Sequence, residues 1–283
     1  MIKMLFNSSR FKNSLVFPIV REFVRRTSGR YNYDSQTLVS SMAVARPHYV
    51  YCLEGAARLA RSLGIKRISA IEFGVAGGNG IKFMCEWSKR IEIELGVTID
   101  CYGFDTGKGM PQPEGYKDLP YWFRANQYAM DESKLRSQIP EAKLVIGEIK
   151  DTIDPFIRDG NIAPIGAIMN DVDYYSSTFE SFRLFDYVET KPDCFLPRIF
   201  MYFDDIIGSE TEMYCEANGQ LAAIAQFNKK NNNAKIHLNQ NLLPNPALHY
   251  RWQIYYAHFF NHPSYNRYIG GTDQLDIEQN LRL

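Results

Sequence analysis

The sequence predicts a doubly wound α/β fold: a mostly parallel, seven-stranded sheet with helices on both faces and an N-terminal helical appendage. Three observations carry this. Short apolar runs alternate with amphipathic segments along the chain, and parallel strands need such helical crossovers. The first run, residues 68–73, contains an acid at Glu72 and breaks at once into Gly74, Gly77, Gly78 and Gly80, as a strand does when it turns tightly into a helix. Later runs also end on acids, at Asp105, at Asp171 and Asp173, and at Asp204 and Asp205. Ligands of doubly wound sheets gather outside these carboxyl ends.

In order, residues 15–26 read as an amphipathic helix that Ser28-Gly29 stops. A cleaner helix runs from Pro47 to Gly64, with Tyr51, Leu53, Ala57, Leu59 and Leu63 near helical spacing, and it should lie beside the first strand. After the glycines come a helix over 81–95 closed by Gly96, then a second strand over 98–104 that ends on Asp105. Residues 106–130, rich in glycine, proline and aromatics without a period, read as a loop or lid. The alternation resumes with a strand over 143–149, a helix over 152–158, a strand over 165–170, a helix over 177–188 and a strand over 198–203. A long helix over 210–228 precedes two last strands at 234–242 and 251–260. Residues 270–283 form a polar tail. With no internal repeat and no long linker, we divide the chain into a cap, residues 1–66, and a main domain, residues 67–283.

A chain of 283 residues that is 45% apolar and 23% charged has ordinary globular composition. No apolar stretch approaches the ~18 residues that span a bilayer, and the early run 15–20 is broken by Pro18. Neither a transmembrane segment nor a signal peptide is expected. Five cysteines, Cys52, Cys85, Cys101, Cys194 and Cys215, form an odd set without a C-x-x-C pair. They predict reduced thiols in a cytoplasm rather than disulfides or a zinc site. Formal charge sums to zero, and no nucleic-acid partner is expected, but residues 1–66 hold 11 Lys/Arg against 3 Asp/Glu. That basic segment, with Arg21, Arg25, Arg26 and Arg30, reads either as a solvated face or as a surface that covers the active site or forms a homo-oligomer contact.

Glycines at the first turn allow positive φ and close approach of a ligand to backbone N–H groups. Their spacing, Glu72-x-Gly74-x-x-x-Gly78-x-Gly80, is not the G-x-G-x-x-G of a dinucleotide fold. Asp105 stands where a carboxylate can accept two ribose hydroxyls; its alternative is an Asx turn opening the lid. Gly103 to Gly109 is not a phosphate loop, since three residues separate Gly103 from Gly107 and Gly109 follows Lys108. If the fourth and fifth strands are neighbours, Asp171, Asp204 and Asp205 converge. Like charges so close call for a hard divalent cation, Mg²⁺, Mn²⁺ or Ca²⁺. His258 and His262 are spaced i, i+4, but Pro263 follows and the surrounding run is strand-like; they read as packing or substrate-pocket residues.

These motifs together resemble the macrocin O-methyltransferase-like family of class I, Rossmann-like, metal-dependent sugar O-methyltransferases. The resemblance spans residues 37–227. It is carried by Glu72-Phe73-Gly74-Val75-x-x-Gly78, by Gly103-Phe104-Asp105 with Gly109-Met110-Pro111, by Gly147 with Asp151-Thr152, by Asp171-x-Asp173-x-Tyr175-x-Ser177-Thr178, and by Asp204-Asp205. The chain departs from the pattern at Val172, where glycine is often found. The resemblance implies that Glu72, Gly74 and Gly78 line the methionine end of S-adenosylmethionine (SAM) and that Asp105 holds its ribose. It implies Mg²⁺ on Asp171, Asp204 and Asp205, with Asp173 as general base. A small-molecule acceptor, a hydroxyl of a sugar or glycosylated metabolite, follows from it. A SAM-binding subunit without catalysis and, behind it, a nicotinamide oxidoreductase are the competing readings.

Overall fold

The computed structural model describes residues 16–270, apart from the side chain of Asp159. Residues 1–15, which include the first residue of the expected helix over 15–26, and residues 271–283 of the polar tail lie outside the described residues. Seven strands form one sheet in the order β3-β2-β1-β4-β5-β7-β6. They are β1 (Arg67–Phe73), β2 (Thr98–Asp105), β3 (Lys143–Ile146), β4 (Ile165–Asn170), β5 (Phe195–Phe203), β6 (Ala234–Leu238) and β7 (Ile254–Phe259). All neighbours pair in parallel except β7, which is antiparallel to both β5 and β6. The expected α/β architecture and the adjacency of the fourth and fifth strands are both present.

Register sets the functional edge. Phe73 lies opposite both Phe104 and Asn170, and Asn170 lies opposite Phe203. Four adjacent strands thus end level, and the residues that follow, Gly74, Asp105, Asp171 and Asp204, stand in a row.

Helices α1 (Phe17–Thr27), α2 (Ser35–Ser40), α3 (Pro47–Ser62) and α4 (Asn79–Leu95) cover one face with Ile68 and Ala70 of β1. Helices α6 (Ile149–Asp159), α7 (Tyr175–Ser181) and α8 (Gly219–Lys230) cover the other with Ile71 and Phe73. The alternation along β1 is that of a strand buried on both sides. Helix α3 lies across β4 and β5 more than beside β1, close enough that a Cβ on Gly55 would sit 2.2 Å from the Phe200 ring. Asp34 caps α2 by accepting from Thr37 N at 2.8 Å, and Glu94 of α4 accepts from both Ser35 N and Ser35 Oγ.

Several expected boundaries are corrected. β3 stops at Ile146 because Gly147, at φ 145°, turns the chain into α6. The helix over 177–188 is α7 followed by a 3₁₀ stretch, Phe182–Tyr187. The long helix over 210–228 shrinks to α8, and residues before it form a loop that ends at Gly219, φ 54°. Helices α2 and α5 (Glu132–Gln138), of six and seven residues, went unforeseen because so few turns carry no period. Among the described residues no helix is long and apolar enough to cross a membrane, and all five cysteines are free thiols.

Candidate active site

A cavity of about 580 Å³ opens on the level strand ends. Its floor is the β1 turn. Gly74, at φ 86°, touches the neighbouring strand rather than open space: a Cβ there would lie 1.7 Å from the Asp171 carbonyl oxygen. Gly77 and Gly80 line the cavity, whereas Gly78, at φ 80°, does not, and faces Leu135 of α5. The turn therefore exists partly to let β1 and β4 meet.

Glu72 points to the α3 side of the sheet and is 1% exposed. Tyr49 OH donates to its Oε1 at 2.5 Å, and its Oε2 is buried without a partner. Burial, only partly offset by the Tyr49 hydrogen bond, pushes its carboxyl up to about 8. A carboxylate oxygen short of a donor, beside a glycine turn, fits a cationic ligand group.

Asp105 closes β2 on the same wall. Its Oδ2 accepts from Val75 N and Ala76 N, both at 2.9 Å, and its Oδ1 from Gly107 N at 2.7 Å. It thus braces the glycine turn and opens the lid through an Asx turn. A carboxylate has about four lone-pair sites, so these three N–H groups leave one of them unused.

Asp171, Asp204 and Asp205 each offer an oxygen within 4.8 Å of the others. Burial, with Asp204 and Asp173 nearby, pushes Asp171 up to about 8, and burial with the surrounding acids drives Asp205 well above its ordinary range. Three oxygens that repel in this way fit a hard divalent cation. Their supports are specific. Tyr202 OH donates to Asp204 Oδ1, Gln253 Nε2 donates to the Asp204 carbonyl at 2.9 Å, and Gln220 Oε1 accepts from Asp205 N at 3.0 Å. Asp173, at φ 59°, donates its N–H to Asp205 Oδ2 at 2.9 Å, and burial raises its carboxyl to about 6.

Two loops form the opposite wall: the expected lid, through Met110, Trp122, Phe123 and Tyr128, and the loop before α8, through Glu212 and Tyr214. The lid is anchored by Asp118, 1% exposed, which accepts from Glu114 N, Ser176 N and Ser176 Oγ. Arg46, Tyr49, Tyr202, Glu212 and Tyr214 escaped the sequence reading. Arg46 stands immediately before Pro47, a helix start that had to lie at this edge, and was the one with a signal.

His258 and His262 are far from this chemistry. His258 pairs with Arg198, at the amino half of β5, and bonds Tyr265 OH at 2.9 Å. His262 Nε2 bonds the carbonyls of Pro192 and Phe195, both at 3.1 Å. Both are packing residues; neither lines the cavity.

No family model and no curated protein sequence matches the chain. Among solved structures it is similar to CalS11, a calicheamicin methyltransferase, at 15% identity over 87% of this chain and 93% of that one, TM-score 0.52. It is also similar to the O-methyltransferase NovP, at 16% identity over 75% and 88%, TM-score 0.48. The fold of this chain is that of a Rossmann-like class I methyltransferase.

Proposed function

We propose that the chain is a SAM-dependent O-methyltransferase that transfers a methyl group to a hydroxyl of a small molecule with the help of a divalent cation. One observation carries this: a single cavity joins a buried carboxyl short of a donor, beside a glycine turn, to three carboxylate oxygens within 4.8 Å of one another. In this reading Glu72 and the turn of Gly74, Gly77 and Gly80 receive the methionine end of SAM, with Gly78 shaping that turn from behind against Leu135, and Asp105 receives its ribose. SAM supplies an electrophilic methyl. Asp171, Asp204 and Asp205 hold Mg²⁺ or another hard cation, which lowers the pKa of a nearby hydroxyl.

The residues of the chain do the rest. Asp173, raised to about 6, is ionised at neutral pH yet basic enough to take the acceptor's hydroxyl proton. The lid residues and Tyr214 exclude water and orient the acceptor. A sugar or glycosylated metabolite as acceptor follows the motif resemblance. Residues 1–66 are the cap, available for a homo-oligomer contact, and a reducing cytoplasm suits five free thiols.

Chelation should abolish turnover and Mg²⁺ restore it. Asp173→Asn should keep cation binding and lose roughly 10²–10⁴-fold in rate. Full activity in excess chelator would remove the cation from the mechanism. SAM binding without turnover of any hydroxyl acceptor in Mg²⁺ would favour a binding subunit.

A further inference from the structure

Helix α1 carries more apolar surface than the body of the protein covers. At 3.6 residues per turn its apolar side chains fall into two adjoining stripes. Phe17 and Val24 are buried in the core, with Val20 packed against it, and Arg21 Nη1 donates to the Ala247 carbonyl at 3.4 Å, so this stripe is fixed to the domain. Val16, just before the helix, Ile19 and Phe23 form the second stripe, and they are 54%, 70% and 53% exposed. Arg26 stands at the end of that stripe. It shares Glu22 with Arg25, so two exposed cations answer one acid, and Arg30 is exposed just beyond the helix.

Charge decides which occupant the second stripe suits. Residues 1–30 hold seven Lys/Arg and a single acid, Glu22, and since the chain is neutral the remainder is net acidic. A second copy laid on the stripe about a two-fold axis would press two such basic segments together. An anionic bilayer instead takes up the apolar side chains and attracts the cations at the same time. Eleven residues are too few to span a bilayer, which leaves α1 to lie along its surface. We propose that α1 docks the protein on an anionic lipid surface, with Val16, Ile19 and Phe23 set among the headgroups and Arg25, Arg26 and Arg30 against their phosphates. None of these residues lines the cavity, so the docking surface stands apart from the cofactor and acceptor readings above.

Co-sedimentation of the 283-residue chain with vesicles tests this. Vesicles of phosphatidylcholine mixed with phosphatidylglycerol should carry the protein down, phosphatidylcholine alone should leave it in solution, and a rise in salt from ~0.05 M to ~0.5 M should release it. Ile19→Glu combined with Phe23→Glu should weaken binding to the mixed vesicles at least about 10-fold with the melting temperature unchanged, because both side chains are exposed. Arg25→Gln combined with Arg26→Gln should weaken it roughly 10- to 30-fold at low salt, and this pair serves if the first variant does not fold. No binding to the mixed vesicles, equal binding to both vesicle types, or wild-type binding by either variant would overturn the proposal. A stripe variant that binds the mixed vesicles as the wild type does but turns a dimer into a monomer would give the stripe to a second copy instead.

Discussion

Replacing Glu72 by Gln should stabilise the ligand-free protein at alkaline pH while weakening the cofactor site proposed above. Glu72 is buried, and its carboxyl moves from an ordinary 4.5 to about 8 because burial penalises the charged form. A folded-state pKa raised in this way gives stability that is fully present below pH 4.5 and is lost as pH rises through 8. At about 1.4 kcal/mol per pKa unit, this one group should cost the wild type about 3 kcal/mol between pH 5.5 and pH 9. Gln cannot ionise, and its Oε1 still accepts from Tyr49 OH. Its amide lacks a partner where the protonated acid also lacked one, so the two proteins should be nearly equal below pH 4.5, and the variant should lead by about 1.4 kcal/mol at pH 5.5. Between pH 5.5 and pH 9 the variant's lead in melting temperature should grow by roughly 6–12 °C for a chain of this size. Melting curves of the two proteins across that range, without ligand, give the answer. Parallel pH profiles would refute the burial argument, because only titration of Glu72 makes them diverge. If Glu72 receives the methionine end as proposed, the same substitution should weaken S-adenosylhomocysteine (SAH) roughly 10- to 100-fold through loss of a charged partner.

Three further outcomes can be checked. Asp105→Ala removes the acceptor for three backbone N–H groups; calorimetry should show SAH binding weaker by about 1.5–3 kcal/mol, with a lower melting temperature. Gly55→Ala forces a methyl against the Phe200 ring at 2.2 Å and should lower stability to urea by about 1–3 kcal/mol. Asp118→Asn removes the charge that ties the lid to Ser176 at the start of α7; limited proteolysis should then cut within residues 106–130 faster, while the rest of the sheet resists as before.

The sequence by itself determined the layering and the chemical edge of this protein. Alternating apolar runs dictate a parallel sheet, and acids at Asp105, Asp171 and Asp204 could be placed at strand ends because a strand has only one carboxyl end. It also read residues 106–130 as a loop or lid, from a composition that supports no period. Other features depended on contacts between residues distant in sequence. The strand order brings Asp171 beside Asp204 and sends His258 to the amino half of β5, where a histidine pair looks no different in sequence from one at the active edge. Residues 210–218 have helix-compatible composition, yet Tyr121 OH donates to the Glu212 carbonyl at 2.6 Å and Asn218 Nδ2 to the Met213 carbonyl at 3.1 Å. The long-range bond from Tyr121, with the local loop bond of Asn218, overrides a weak helical propensity there. Gly74 and Gly78 illustrate the same division. The sequence shows that a turn must form, but only packing reveals that Gly74 is required by the Asp171 carbonyl and Gly78 faces Leu135. The side of β1 that Glu72 faces, and so its hydrogen bond from Tyr49, was likewise fixed by which helices cover that face of the sheet.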